Sequence, residues 1–327
     1  MRARVVRPMS HQIIETLIGE QGKILVACHR TPDGDTLGAG LAVFLWLKAL
    51  GKDVGIYCAD PTPALYRFLR GSEQVQAAHT APHLFVAVDC ASADRLGEAG
   101  EALLARATVT VNIDHHFTNT RYCQLNLVDD KAGSTAEIVA GLLLDNDLCV
   151  TPEIADCLYT GIVTDTGQFA FDYTRPESLR IAARLMECGA SFEAICARVF
   201  RRRTLSKTRL IGTALSSLRL YDGSRVALLS IDQTTLKAVN ATPDECESIV
   251  NFAVEIEGVE VGVLLRETQT GDWKVSLRSS GAADVAAVAK GFGGGGHKKA
   301  SGCTLAAPMV EAESKIVAAV LTAIGGL

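Results

Sequence analysis

The sequence predicts an α/β protein with two parts, an N-terminal domain built on a parallel sheet and a smaller α+β C-terminal domain. Three observations carry this reading. Short, near-continuous apolar runs alternate with helical patterns through the first half of the chain. A charged stretch, FRRRTLSKTR at 200–209, interrupts that alternation. Beyond it come closely spaced strand patterns and four consecutive glycines.

The runs are KILVAC (23–28), DVGIYC (53–58), LFVAVD (84–89) and VTVNID (109–114). Strands covered on both faces read this way, because neither side can stay polar. Between the first two lies TLGAGLAVFLWLKALG, a helix with Thr36 expected at its N-cap and Gly51 as its stop. Further helices are expected at about 134–146, 152–164, 176–189 and 191–199. Such alternation of strand and helix gives a parallel sheet. The charged stretch is expected to be a linker, over 201–215, between domains of residues 1–200 and 216–327. In the second domain, RVALLSI (225–231) and a helix near 243–253 precede two strands, VEVGVLLRE and DWKVSLRSS. These two are expected to form a hairpin turning at Thr270-Gly271. A glycine loop at 291–302 and a helix near 309–323 follow.

The chain has 327 residues, 48% hydrophobic and 21% charged, which is ample material for a core. Its net charge of -5, from 32 basic and 37 acidic residues, excludes a broad basic surface for duplex DNA. A local basic pocket for a small anion stays open. The ten cysteines form no CxxC pair and mostly sit in or beside apolar runs, so they are expected to be buried, reduced thiols. The stretch MRARVVRPMSHQ lacks an apolar signal core, and no apolar run reaches about 18 residues. The expectation is a protein of the reducing cytoplasm without membrane association.

The chemistry gathers where the runs end. His29, Asp33 and Asp35 follow the first run, Asp89 ends the third, and Asp114, His115 and His116 end the fourth. Asp165 ends the helical stretch CLYTGIVTD. Open parallel sheets hold ligands beyond the carboxyl ends of their strands, so these distant positions would converge. Singly, each has a plainer reading: Asp33 and Asp35 as turn residues around Gly34, Asp165 as a cap. Together they are too many charges to cluster without cations, because each unpaired buried charge costs several kcal/mol. Mostly oxygen donors with one or two imidazoles suit Mn²⁺ or Mg²⁺ better than structural zinc. Two such ions roughly 3.5–4 Å apart, sharing a carboxylate, clamp phosphorus for in-line attack. Separately, Gly293 to Gly296 followed by His297 offer backbone amides to phosphate oxygens, the plainer alternative being a flexible hinge. Arg278 ends a strand nearby and suits bidentate phosphate contact. RRRTLSK reads as a solvated linker face rather than an RNA-binding patch.

HRTPDGD, VAVDCAS, NIDHH and YTGIVTDTGQF resemble the four motifs of the DHH phosphoesterase superfamily. VSLRSSG and GFGGGGHKKASG resemble its associated C-terminal nucleotide-binding domain, and the match keeps the family order over about residues 15–325. Within the superfamily the chain most resembles the bifunctional oligoribonuclease/pAp phosphatases. The resemblance implies a catalytic α/β domain and a small cap domain with the active site in the cleft between them. It implies His29, Asp33, Asp35, Asp89, His115 and Asp165 as ligands of two divalent ions, Mn²⁺ before Mg²⁺, with Asp89 bridging. Asp114 would orient His115, and His116 would meet the scissile phosphate as hydrogen-bond donor or acid. Arg278, Ser279, Gly295, Gly296, His297 and Ser301 would bind substrate. One departure is Gly40, where the family often has Ser.

The implied activity is that of a metal-dependent exonuclease and phosphatase. It would degrade short single-stranded oligoribonucleotides and dinucleotides to mononucleotides and convert pAp to AMP. The alternative is a cyclic or linear dinucleotide (c-di-AMP/pApA) phosphodiesterase. A pyrophosphatase would share the ligands but pair them with a lysine- and arginine-rich C-terminal domain, which the glycine loop argues against. A long-chain exonuclease of the RecJ type usually adds an OB-fold, for which 327 residues leave little room. A non-enzymatic binding module would require lost ligands, and all six are present. A homodimer is common among such relatives.

Overall fold

The computed structural model describes residues 8–325, with one unit ending at Arg202 and a second starting at Arg203. In the first unit, helix α1 (Pro8–Gly19) leads into β1 (Ile24–Ala27), α2 (Gly34–Ala49), β2 (Val54–Tyr57) and β3 (Val75–Gln76). Then come β4 (Leu84–Val88), α3 (Gly97–Arg106), β5 (Val109–Asp114) and β6 (Leu125–Val128). The six strands form one sheet in the order β3-β2-β1-β4-β5-β6, with every pair parallel. Helices α4 (Thr135–Leu144), α5 (Pro152–Asp165), α6 (Pro176–Glu187) and α7 (Phe192–Cys196) complete the unit.

The sheet is covered on both faces, which is why its strands read as continuous apolar runs. Ile24 and Val26 of β1 pack into the core shared with Leu41 of α2, Val139 of α4 and Leu158 of α5. Leu25 and Ala27, one step along the pleat, belong to a second cluster with Phe85, Ala87 and Leu103. Strand order reverses between β1 and β4, so the crevice that receives ligands opens past their carboxyl ends.

Helix α2 packs along α5 at backbone contact. A side chain at Gly38 would put its Cβ 2.4 Å from the Cys157 carbonyl oxygen, and one at Gly161 would come within 2.9 Å of Asp35 Oδ1 on α2 and 2.5 Å of the Ala136 methyl on α4. Gly40 likewise leaves room for the Cys28 thiol, which a Cβ there would meet at 2.6 Å. The cap of α2 is not Thr36 but Asp33, whose Oδ1 accepts from the amides of Asp35 and Thr36 at 3.0 and 3.1 Å. Thr36 lies one turn in and is fully buried; its hydroxyl sits 3.3 Å from both the His29 amide and the Val88 carbonyl oxygen, clasping the ends of β1 and β4. The helix expected at 191–199 is α7 followed by a π-helical turn over Ala197–Arg201.

The second unit opens with α8 (Leu205–Ser216), which occupies most of the segment expected to be a linker. Its charges face outward, but Leu210 and Ala214 are buried against Ala227 and Leu229. The remaining elements are β7 (Arg219–Tyr221), β8 (Val226–Ile231), α9 (Gln233–Ala238), α10 (Asn251–Val254), β9 (Val261–Glu267) and β10 (Trp273–Ser279). They are followed by α11 (Val285–Lys290), β11 (Gly295–His297), β12 (Ala300–Leu305) and α12 (Met309–Ala323). The sheet order is β11-β12-β10-β9-β8-β7, antiparallel except for the β8–β9 pair. β9 and β10 form the expected hairpin, pairing Glu267 with Trp273. The helix expected at 243–253 is instead a 3₁₀ turn, Pro243–Cys246, and the short α10, interrupted at Ser248, whose φ of +68° no helix accommodates.

All ten cysteines are free thiols, with Cys149 exposed. No helix among the described residues is long and apolar enough to cross a membrane.

Candidate metal centre

The reversal point of the first sheet gathers the predicted residues. His29 follows β1, Asp89 follows β4, and Asp114, His115 and His116 fall at the end of β5. Asp33 and Asp35 arrive on the first turn of α2, and Asp165 on the last residue of α5. Asp89 takes a left-handed backbone, φ +56°, which Asp tolerates better than bulkier residues. Its carboxylate is buried, with only 2% of the residue exposed.

Asp89 has two faces. Its Oδ2 lies 3.5 Å from His29 Nε2, while its Oδ1 lies 3.6 Å from His115 Nε2 and 3.7 Å from His116 Nδ1. Asp33 Oδ2 is 3.7 Å from His29 Nε2, and Asp165 Oδ2 and Asp35 Oδ2 stand 3.4 and 4.0 Å from His115 Nε2. Three sets therefore have donor atoms close enough to hold a metal ion: His29, Asp33 and Asp89; Asp35, His115 and Asp165; and Asp89, His115 and His116.

The imidazoles are aimed from behind. A carbonyl oxygen only accepts, so the Arg30 oxygen 2.7 Å from His29 Nδ1 fixes the proton there and turns Nε2 inward. The Ala132 carbonyl oxygen, 3.3 Å from His115 Nδ1, does the same for His115. This corrects the expected role of Asp114, which engages His116 and not His115: its Oδ1 lies 2.8 Å from His116 Nδ1. Adjacent residues at a strand end point to opposite sides, and only the second ring swings back over the Asp114 carboxylate. Asn119 Nδ2 donates to the other Asp114 oxygen at 2.6 Å.

The start of α4 holds the carboxylates, a role the sequence reading missed. The amides of Thr135 and Ala136 donate to the two oxygens of Asp35 at 2.6 and 2.8 Å, and the Thr135 hydroxyl donates to Asp89 Oδ1 at 2.8 Å. A helix N-terminus suits negative charge. The signal was present in the sequence as GSTAE, where Ser134 caps α4 by accepting from the Glu137 amide at 3.0 Å.

Such crowding without a cation is relieved by protons. Burial disfavours the charged form of His29, yet hydrogen bonds and charge from Asp33 and Asp89 outweigh it and push its pKa up to about 10. Burial, then the charges of Asp89, Asp165 and Asp33, raises Asp35 well above the carboxylate range. Burial likewise pushes Asp165 up to about 7, against the pull of His115. Burial opposes ionisation of Asp89 too, but His29, His115 and His116 hold it well below the usual range. The oxygen-rich donor set, with its two imidazoles, fits a divalent ion.

In the second unit, strand register collects the other predicted residues on three neighbouring strands. Arg278 lies opposite Ala300, which lies opposite His297; Ser301 lies opposite Gly296, and Gly295 opposite Gly302. Gly296 has φ +140°, and a Cβ there would come within 2.6 Å of the Ala300 carbonyl oxygen. Ser301 and Ser279 are buried, and their hydroxyls donate to the carbonyl oxygens of Val285 at 2.5 Å and Gly281 at 3.3 Å. Those two brace the connection from β10 to α11. Burial lowers the pKa of Arg278, with Glu247 acting against it.

A parallel sheet with two histidine–carboxylate groups meeting at one aspartate is the kind of site that metal-dependent phosphoesterases use. The chain belongs to the DHH family: residues 23–162 match the DHH family, N-terminal domain, and residues 211–325 the DHHA1 domain. It is 35% identical to the bifunctional oligoribonuclease and PAP phosphatase NrnA of Thermus thermophilus, over 90% of this chain and 87% of that protein. A probable bifunctional oligoribonuclease and PAP phosphatase NrnA of Streptococcus mutans is 30% identical, over 85% of this chain and 88% of its own. The fold superposes on the crystal structure of an exopolyphosphatase-related protein from Bacteroides fragilis with a TM-score of 0.90 at 25% identity, covering 98% of this chain and 97% of that one. The chain is a hydrolase of phosphate esters.

Proposed function

We propose that this protein hydrolyses short oligoribonucleotides to mononucleotides and pAp to AMP, using two divalent ions, Mn²⁺ before Mg²⁺. The observation that carries the reading is Asp89, whose two oxygens face two separate histidines. The names and near-full coverage of the relatives support the substrate class.

His29, Asp33 and Asp89 would hold one ion, and Asp35, His115, Asp165 and Asp89 the other. Bound there, the ions supply Lewis acidity toward the phosphate and make water a nucleophile at neutral pH. Asp114, fully buried, accepts from Nδ1–H of His116, which leaves Nε2 to give a proton to the departing oxygen. Burial opposes the charged form of that ring, but Asp114 and then Asp89 raise its pKa and keep the proton available. Arg278 and the Gly295–His297 strand would grip the phosphate of the nucleotide.

The test is product analysis with end-labelled RNA of two to about twenty nucleotides, beside pAp and cyclic di-AMP, with Mn²⁺ added. Mononucleotides from the shortest chains and AMP from pAp are expected. Preferential cleavage of cyclic di-AMP would move the assignment to dinucleotide turnover.

A further inference from the structure

Asp165 is followed by an unusual turn. Gly167, Gln168 and Phe169 all take left-handed backbone, with φ of +57°, +61° and +65°. Glycine visits that region freely, but an aromatic residue rarely does, so such a run is costly and tends to mark a site. The turn reverses the chain so that Tyr173 donates its hydroxyl to the Asp165 carbonyl oxygen at 2.8 Å. Phe171 stands beside Tyr173, ring centroids 5.6 Å apart at an interplanar angle of 47°.

These rings are not core. Phe171 is 49% exposed and Tyr173 47%. Single exposed apolar residues are ordinary, but the distribution here is not. Among the described residues four aromatic side chains are exposed, and Phe117, Phe171 and Tyr173 all lie within eight residues of a candidate metal ligand. Phe117 directly follows His116 and is 82% exposed. An exposed aromatic face is a surface on which a flat ring can stack. Every nucleobase presents such a π-face.

We propose that Phe171 and Tyr173 form a stacking surface for the nucleobase next to the scissile phosphate, in the metal-bearing unit itself. The proposal rests on the nucleotide substrate given under Proposed function. Unlike phosphate contacts, stacking tolerates any base, which suits an enzyme clearing short RNA of mixed sequence. The Tyr173 hydroxyl ties the surface to the backbone of Asp165, so base and phosphate would be placed by one turn.

The experiment compares wild type with Phe171→Ala, Phe171→Leu and Phe171→Trp on two substrates, an adenylyl dinucleotide and its analogue carrying an abasic ribose at one end, each end in turn. Phe171→Ala and Phe171→Leu are expected to lower kcat/KM for the full dinucleotide about 5- to 100-fold. Phe171→Trp should keep it. For the abasic analogue at the stacked end, wild type and variants should converge. Manganese content, measured in parallel, should not change. Equal losses on full and abasic substrates, or Leu matching Trp, would overturn the stacking surface while leaving the hydrolase reading intact. A change in oligomeric state by light scattering, with kinetics on the full dinucleotide unchanged, would assign the rings to a second copy of the chain. No turnover of either substrate by wild type would overturn both readings.

Discussion

Replacing Thr135 by valine removes one hydroxyl and almost no volume. That hydroxyl donates to Asp89 Oδ1 at 2.8 Å, and both residues are buried. A hydrogen bond to a buried charged acceptor contributes about 1.5–3 kcal/mol. At 1.4 kcal/mol per factor of ten, Thr135→Val should weaken metal binding about 10- to 100-fold. Both ions should feel it, because Asp89 faces both histidine groups. The amides of Thr135 and Ala136 survive the change and keep Asp35 in place, so the defect should trace to Asp89 alone. Calorimetric titration with Mn²⁺, beside pAp hydrolysis at rising Mn²⁺, measures it. Activity should return at saturating metal, and Thr135→Ser should behave as wild type. Unchanged Mn²⁺ affinity in Thr135→Val, or the same loss in Thr135→Ser, would refute the reasoning.

Asp89→Ala should abolish hydrolysis even with Mn²⁺ present, and near-normal turnover would remove Asp89 from its shared position. His116→Ala should keep most of its metal but lose about 10²-fold or more in kcat; loss of metal instead would make His116 a ligand. Arg278→Ala should lower kcat/KM for pAp and dinucleotides roughly ten- to a hundredfold while sparing a generic phosphodiester, and equal damage to all three would place Arg278 in the chemistry or in folding. In the metal-free protein His29 has its pKa pushed up to about 10 and Asp165 to about 7, and Asp35 is also raised, so all three must shed protons to bind the ions. Mn²⁺ affinity should therefore fall as pH drops below about 10, and more steeply below about 7, with proton release seen as a buffer-dependent heat of binding; affinity flat from pH 8 to 5 would contradict this.

The first unit was legible because its strands are covered on both faces and its charges sit at their ends. Ile24 and Leu25 both had to be apolar, and Asp89 or His115 could not have been part of the same pattern. What escaped was set by tertiary contact. Asp33 won the cap of α2 from Thr36 because Thr36 was needed between β1 and β4. The service of Asp114 to His116 was legible after all, because positions 114 and 116 share a face of an extended chain and 115 does not. The support from Thr135 depends on a hydroxyl reaching a residue 46 positions earlier. In the second unit the charges of 201–215 suggested a linker, and the burial of only two residues, Leu210 and Ala214, makes it a helix.

The contact between α2 and α5 also limits how this protein can be engineered. Asp35 and Asp165 ride on those two helices, and the distance between the helices sets the span of one candidate ligand group. Exchanging a helical glycine for alanine is a standard route to heat tolerance, worth up to about 1 kcal/mol per site. At Gly38 the added methyl would act as a wedge, because it would meet the Cys157 carbonyl oxygen of α5 at 2.4 Å; at Gly161 it would press on Ala136 of α4 at 2.5 Å and on Asp35 Oδ1 at 2.9 Å. The helices would separate, and the pair of aspartates would open with them. Residues that look like the softest places in the scaffold thus act as the spacers of its candidate metal centre.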